Sequence, residues 1–149
     1  MPLCFAYGSN LDVEQMKRRC PESKVLVPGC LQGYRLDFTW HSSGWGGGVA
    51  DVVIDPQREV WGVVYELTMR DLELLDGYEG YPKIYTRFQV SVETSDGTFH
   101  DVWVYAVVNK KSFIPPTRQY LAIIKRGAEQ FGFPEDYRSF LMEIRTQNS

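Results

Sequence analysis

Asp96-Gly97 lies between two runs that alternate apolar and polar residues. One is Tyr85 to Glu93, with Phe88, Val90 and Val92 in step, and the other is Phe99 to Val108. Asp-Gly accepts the positive φ values of tight hairpin turns, so Ser95-Asp96-Gly97-Thr98 commits the two runs to antiparallel pairing. Their alternation commits one face of the pair to a core, and other elements must cover that face. Further strands are expected at Pro2 to Ala6, Lys24 to Trp40, Val49 to Ile54 and Glu59 to Leu67. The second of these alternates in parts and is interrupted at Pro28-Gly29, so it reads as two strands or one bent strand. The last is apolar on both faces, and Asp55-Pro56-Gln57-Arg58 before it reads as a turn.

Four helices are expected. Asp12 to Arg19 presents Leu11, Val13 and Met16 inward and stops at Cys20-Pro21. Thr68-x-x-Asp71 resembles a capping box with Asp in place of Glu. It starts a helix through Leu72 and Leu75 that ends near Asp76-Gly77, leaving Glu79 just past the end. Thr117, after Pro115-Pro116, caps a helix with Tyr120, Leu121, Ile124, Ala128 and Phe131 at helical spacing, stopped by Gly132. Pro134 opens a last helix whose stripe of Tyr137, Phe140, Leu141 and Ile144 is packing surface. Six or seven strands, grouped mostly between the first and third helices, make an α+β domain. A chain of 149 residues, 44% apolar and 14% aromatic, can build the core of one such domain over residues 1–149. The tail Thr146-Gln147-Asn148-Ser149 reads as a frayed polar end.

Charge and composition remove several classes of function. The net charge is −3 and the sixteen Lys and Arg are scattered, so no basic stripe exists for nucleic acid, which is not expected as a partner. No apolar run approaches the roughly 18 residues of a membrane span, and no signal sequence opens the chain, so a soluble protein without a membrane partner is expected. Cys4, Cys20 and Cys30 are an odd number without a C-x-x-C pair, which points to reduced thiols and a cytoplasmic location. His41 and His100 stand alone, so no metal site is expected. Ser42-Ser43-Gly44-Trp45-Gly46-Gly47-Gly48 lacks the Lys-Ser or Lys-Thr of a phosphate loop, and an apolar, β-branched run follows it. The glycines read as a bend or as close packing beside a pocket.

Two stretches can carry chemistry. In Cys4-Phe5-Ala6-Tyr7-Gly8-Ser9-Asn10-Leu11 a short apolar strand runs into a polar turn that opens a helix. Gly8 is expected in a backbone conformation closed to other residues, with Ser9 or Asn10 as the helix cap. Exposed N–H groups there would meet a carbonyl or carboxylate oxygen, although the same tetrapeptide also reads as an ordinary turn. In Leu75-Asp76-Gly77-Tyr78-Glu79-Gly80-Tyr81-Pro82, Glu79 has aromatic and rigid neighbours. Desolvation by them would raise its pKa and suit it to moving protons. A surface carboxylate beside packed aromatics is the other reading, and Tyr85 and Tyr120 read equally well as core tyrosines.

Four segments carry a resemblance to the γ-glutamylcyclotransferase family: Phe5 to Leu11, Glu59 to Val64, Leu75-Asp76-x-x-Glu79-Gly80, and Pro115-Pro116-x-x-Gln119-Tyr120 followed by Gly127-Ala128. Their order and approximate spacing run from about Cys4 to Ile144. The resemblance implies a mixed β-barrel flanked by helices and a small γ-glutamyl substrate. It implies no metal, nucleotide or redox cofactor. The turn of Cys4, Phe5, Ala6, Tyr7, Gly8, Ser9 and Asn10 would bind the γ-glutamyl group, with Glu79 as general acid and base. Tyr85 and Tyr120 would line the same pocket, though the spacing from Glu79 to Tyr85 is shorter than in some relatives. The implied reaction is the intramolecular cyclisation of a γ-glutamyl amino acid to 5-oxoproline, a lyase-type acyl transfer of glutathione metabolism. Asn10 follows the γ-glutamyl-amino-acid branch and not the glutathione-specific one. Two alternatives stay open, a γ-glutamylamine cyclotransferase acting on γ-glutamyl-ε-lysine and a non-catalytic binding protein of the same fold. A homodimer is left open as well.

Overall fold

The computed structural model describes residues 1–147. In chain order the elements are β1 (Leu3–Ala6), a 3-10 turn (Ser9–Leu11), α1 (Val13–Arg19), β2 (Lys24–Ser42), β3 (Gly47–Glu66), α2 (Met69–Glu79), β4 (Tyr85–Thr94), β5 (Gly97–Val107), α3 (Arg118–Gln130) and α4 (Glu135–Met142). The strands close into a barrel in the order β1-β3-β2-β4-β5. Four of the five pairings are antiparallel, and the parallel register Leu3↔Val102 between β1 and β5 makes the barrel mixed. The expected α+β barrel with four helices is thus present. The hairpin at Asp96-Gly97 pairs from Tyr85↔Val107 to Thr94↔Gly97, as its alternation requires.

The strands number five and not six or seven, because two stretches that read as interruptions are continuous. Pro28 and Gly29 stay in register with Val63 and Gly62, and β2 runs on as one bent strand. Asp55–Arg58 is not a turn between strands. With Gln32 paired to Glu59 and Tyr34 to Ile54, residues 55 to 58 bulge out opposite Gly33 alone. Bulges add twist and bend, and the three register shifts along this hairpin let one long ribbon curve round two sides of the barrel. Val60, Val63, Val64 and Tyr65 are all buried, so the β3 run that is apolar on both faces is covered on both; α4 and its entry close the outer side, where Phe133 packs on Trp61 at 6.0 Å between ring centroids.

The helix ends differ instructively from expectation. Ser9 and Asn10 form the separate 3-10 turn, and Asp12 is the cap of α1, its Oδ1 accepting from the N–H groups of Glu14 and Gln15 at 3.1 and 3.3 Å. In α2, Thr68 Oγ1 accepts from Asp71 N–H at 3.0 Å as its spacing suggests. The helix does not end at Asp76-Gly77, however. It continues to Glu79 and stops at Gly80 (φ 67°, ψ 33°), whose left-handed conformation only glycine adopts cheaply. Thr117 caps α3 through Tyr120 N–H at 3.1 Å, and Gly132 (φ 65°) follows its end. The tail is not frayed at Thr146, which is buried, nor at Gln147, which donates from its backbone to Pro116 O at 3.0 Å. Asn148 and Ser149 lie outside the described residues. Among the described residues no helix is long and apolar enough to cross a membrane.

Candidate active site

The strand β1 delivers the turn Tyr7 to Asn10 against the inner wall of β3. Gly8 has φ −114° and ψ −131°, outside the left-handed region expected for it. The fit around it is tight, so that a side chain here would require its neighbours to give by a few tenths of an ångström. A Cβ on Gly8 would lie 3.1 Å from both Ala50 Cβ and the Tyr120 hydroxyl. The turn is closed by Leu11 N–H to Gly8 O (3.1 Å) and Asp12 N–H to Ser9 O (3.0 Å), bonds that do not use the N–H groups of Gly8 and Asn10.

Buried tyrosine hydroxyls fix this wall. Ala50 N–H donates to Tyr120 Oη at 3.0 Å, and Tyr85 Oη donates to Ala50 O at 2.6 Å. Tyr7 Oη donates to Tyr105 O at 2.7 Å, and Tyr65 Oη to Asn10 O at 2.8 Å. The Asn10 side chain is set by two donors on its oxygen, Gln15 Nε2 at 3.1 Å and Arg19 Nη1 at 3.2 Å. Its Nδ2 therefore points at Glu79 Oε1, 3.5 Å away across a long hydrogen bond.

These groups surround a cavity of about 400 Å³. The residues proposed from sequence, Cys4 to Asn10 with Glu79, Tyr85 and Tyr120, all line it, although Tyr85 and Tyr120 spend their hydroxyls on Ala50. The hairpin tip after β2 forms part of the mouth, with Trp45 edge-on to Tyr120 at 5.0 Å. The glycine run serves close packing beside the cavity. A Cβ on Gly48 would collide with the Ile114 carbonyl, and one on Gly47 would lie 3.0 Å from Pro115 O. His41 is exposed at the mouth, while His100 pairs with Ser91 at 2.9 Å on the outside of the barrel.

Glu79 is the one carboxylate among the described residues that line the cavity. Burial pushes its pKa up to about 7, Arg19 opposes the shift, and Asp76 one turn earlier in α2 adds to it. The neighbours in sequence are not the cause. Tyr78 is 58% exposed and Tyr81 39%, too open to account for the desolvation, which comes with the barrel residues that line the cavity around the carboxylate. Asp76 itself is clamped by Arg87 (2.8 and 3.1 Å) and by the Tyr105 hydroxyl (2.6 Å), which docks the last turn of α2 on β4 and β5. Burial raises the pKa of Cys4, Tyr7, Tyr85 and Tyr120, so these groups stay protonated around the carboxylate.

Sequence reasoning missed Arg19, Tyr105 and the Asp76–Arg87 clamp. Asp76 stood in the quoted motif, and its three-residue offset from Glu79 was the available signal. Arg19 had none, since its approach to Asn10 depends on how the 3-10 turn folds back on α1.

Residues 59–141 match the model of the AIG2-like family. A γ-glutamylcyclotransferase of Bos taurus is 36% identical over 152 residues, spanning 95% of this chain and 78% of the relative; that of Homo sapiens is 37% identical over 148 residues with the same coverage. A solved γ-glutamyl cyclotransferase structure superposes with a TM-score of 0.92 at 34% identity, over 99% of this chain and 90% of that one. A yeast cyclotransferase specific to glutathione shares the fold, with a TM-score of 0.66 at 15% identity over 95% of this chain and 94% of that one. Matched over nearly its whole length in both sequence and fold, the chain belongs to the γ-glutamylcyclotransferase family.

Proposed function

We propose that the chain is a γ-glutamylcyclotransferase acting on γ-glutamyl amino acids, with Glu79 as the single group that moves protons. The observation that carries this reading is a lone carboxylate, pushed up to about 7, facing a cavity that the Tyr7 to Asn10 turn also lines. The substrate's α-amine is an ammonium ion at neutral pH and cannot attack until it gives up a proton. Ionised Glu79 accepts that proton, and the freed nitrogen attacks the γ-carbonyl carbon to close a five-membered lactam. The bond from that carbon to the departing nitrogen then breaks. Two protons move from the attacking to the departing nitrogen, and one carboxylate can carry both in turn. Products are 5-oxoproline and the free amino acid, with no water consumed.

The N–H groups of Gly8 and Asn10 are the candidates for stabilising charge on the γ-carbonyl oxygen. Folding the flexible γ-glutamyl chain into its cyclising shape supplies an orientation effect of up to about 7–11 kcal/mol in the best intramolecular cases. The three cysteines are buried and unbridged, which suits a reducing compartment, and we assign the enzyme to the cytoplasm and to glutathione metabolism.

The test is release of 5-oxoproline from a panel of γ-glutamyl compounds by the parent and by Glu79→Gln. The variant is expected to lose about 10²–10⁴ in rate, the usual worth of general acid–base catalysis. Turnover within tenfold of the parent would remove Glu79 from the role. The parent's kcat/KM should climb as pH rises through about 7, because Glu79 must be ionised to accept a proton, and keep climbing as the substrate ammonium titrates. A profile that peaks below neutrality, or a variant with the same acid limb, would assign the proton transfer to another group.

A further inference from the structure

Arg19 ends α1 and lines the cavity beside Glu79. Its guanidinium donates to the neutral Asn10 amide at 3.2 Å and lies 5.0 Å over the exposed Tyr78 ring. Among the described residues the ion pairs are made by Arg35, Arg87 and Lys110, and Arg19 is in none of them. This half-buried cation is held by an amide and an aromatic face. It acts on Glu79 across Asn10, opposing the rise of that pKa, and makes no direct ion pair with it. An anion arriving with the substrate is the natural partner, and guanidinium takes a carboxylate with two parallel N–H bonds.

A γ-glutamyl amino acid brings two carboxylates, one on the glutamyl α-carbon and one on the departing amino acid. The geometry points to Arg19 as the group that recognises the α-carboxylate of the departing amino acid, a reading that rests on the cyclotransferase function proposed above. Asn10 provides the measure, with Oδ1 on Arg19 and Nδ2 toward Glu79. The two charges are thus set apart by the width of one amide group. A departing nitrogen within reach of Glu79 carries its own carboxylate two bonds away, a span of the same order. The glutamyl end must instead lie deep, where Tyr7, Tyr85 and Tyr120 are buried and where the Tyr7 to Asn10 turn closes the cavity. Arg19 stands at the outer side with exposed Tyr78, where the departing group emerges.

The experiment compares γ-glutamyl-L-alanine with γ-glutamyl-L-alaninamide, which are nearly isosteric and differ by one negative charge. Release of 5-oxoproline is followed above pH 8 with the parent, Arg19→Met and Arg19→Lys. The parent is expected to favour the acid by about 10- to 100-fold in kcat/KM, the worth of a hydrogen bond to a charged group. Arg19→Met should erase that preference, and Arg19→Lys should keep part of it. Any loss common to both substrates reflects Asn10 or Glu79 and cancels in the ratio. Asn10 retains its bond from Gln15 and Tyr65 still holds its backbone, so the turn has support without Arg19. A parent that does not distinguish acid from amide, or a Met variant that keeps the parent's ratio, overturns the assignment, and the parent comparison needs no variant to fold. A parent that releases 5-oxoproline from neither compound is a different result, because it removes the cyclotransferase reading and Arg19's role with it.

Discussion

Two carboxylates, Asp51 on the β3 wall and Glu79 at the end of α2 on the cavity wall, are treated in opposite ways. Asp51 on β3 is 0% exposed and fully provided for. Its Oδ2 accepts from the Thr39 hydroxyl at 2.7 Å and from Lys110 Nζ at 2.8 Å, while its Oδ1 accepts from Val107 N–H at 2.9 Å and again from Lys110 at 3.1 Å. Glu79 at the end of α2 has the single long bond from Asn10 and an opening onto the cavity. Surrounded by these donors, Asp51 works as a cross-link between β2, β3 and the end of β5. A charge left with few donors beside a cavity is held near its titration point. The first fixes strands; the second opens onto the cavity, where the proposed proton transfer would take place. They are connected, because Ala50, next to Asp51, is the residue whose N–H and carbonyl fix Tyr120 and Tyr85.

The contrast predicts its largest consequence in stability at Asp51. Asp51→Ala would leave the Thr39 hydroxyl, the Val107 N–H and the Lys110 ammonium short of a partner, a change expected to cost about 3–5 kcal/mol. Urea denaturation of parent and variant measures it. A loss under about 1 kcal/mol would mean that the barrel wall does not depend on this cross-link.

At Glu79 the sign reverses. Its folded pKa is raised from the ordinary value of 4.5 to about 7, so between these values the folded state binds more protons than the unfolded one. Stability therefore falls as pH rises through that window and is fully diminished above it. Glu79→Gln cannot ionise, so relative to parent it should gain up to about 3 kcal/mol near pH 8 and nothing attributable to this ionisation near pH 4. Denaturation at the two pH values decides. An equal difference at both would mean that Glu79 carries no destabilising charge in the folded state.

A smaller effect tests the link between the walls. Tyr85→Phe removes the hydroxyl that donates to Ala50 O, and should cost about 0.5–1.5 kcal/mol, the net worth of one hydrogen bond. Combined with Asp51→Ala, its cost should shrink, because the two share one strand segment. Strict additivity in a double-mutant cycle would make the two contacts independent.

Local signals were enough for some parts of this molecule. The Asp96-Gly97 hairpin, the Thr117 cap of α3 and the sharp stop of β1 at a polar turn are each decided by neighbours a few residues away, and each forms where its residues say. The end of α2 was misplaced because Gly77 looks like a terminator, whereas a helix tolerates one glycine at a cost of about 1 kcal/mol when packing and a later cap offset it. That one turn matters, since it sets Glu79 on a docked helix instead of in a loop. The Asp55–Arg58 segment has the composition of a turn, but whether such residues connect two strands or bulge from one is settled by pairing partners some twenty residues away.

By itself the sequence determined the α+β class, the strand-to-turn-to-helix opening, the family and the pair of stretches around Gly8 and Glu79 that meet at the cavity. These follow from periodicity, turn chemistry and motif spacing, which act over short stretches of chain. Only the tertiary structure decided why Glu79 has a raised pKa, since its aromatic sequence neighbours are largely exposed and burial comes with β1, about 70 residues earlier, and with β4 and β5. It also decided that Gly8 sits tightly against Ala50 and Tyr120 with a negative φ, that Asp51 ties three strands together and that Arg19 reaches Asn10. Desolvation and the pairing of charges depend on everything within a few ångströms of a group, and that company is assembled only when the barrel closes.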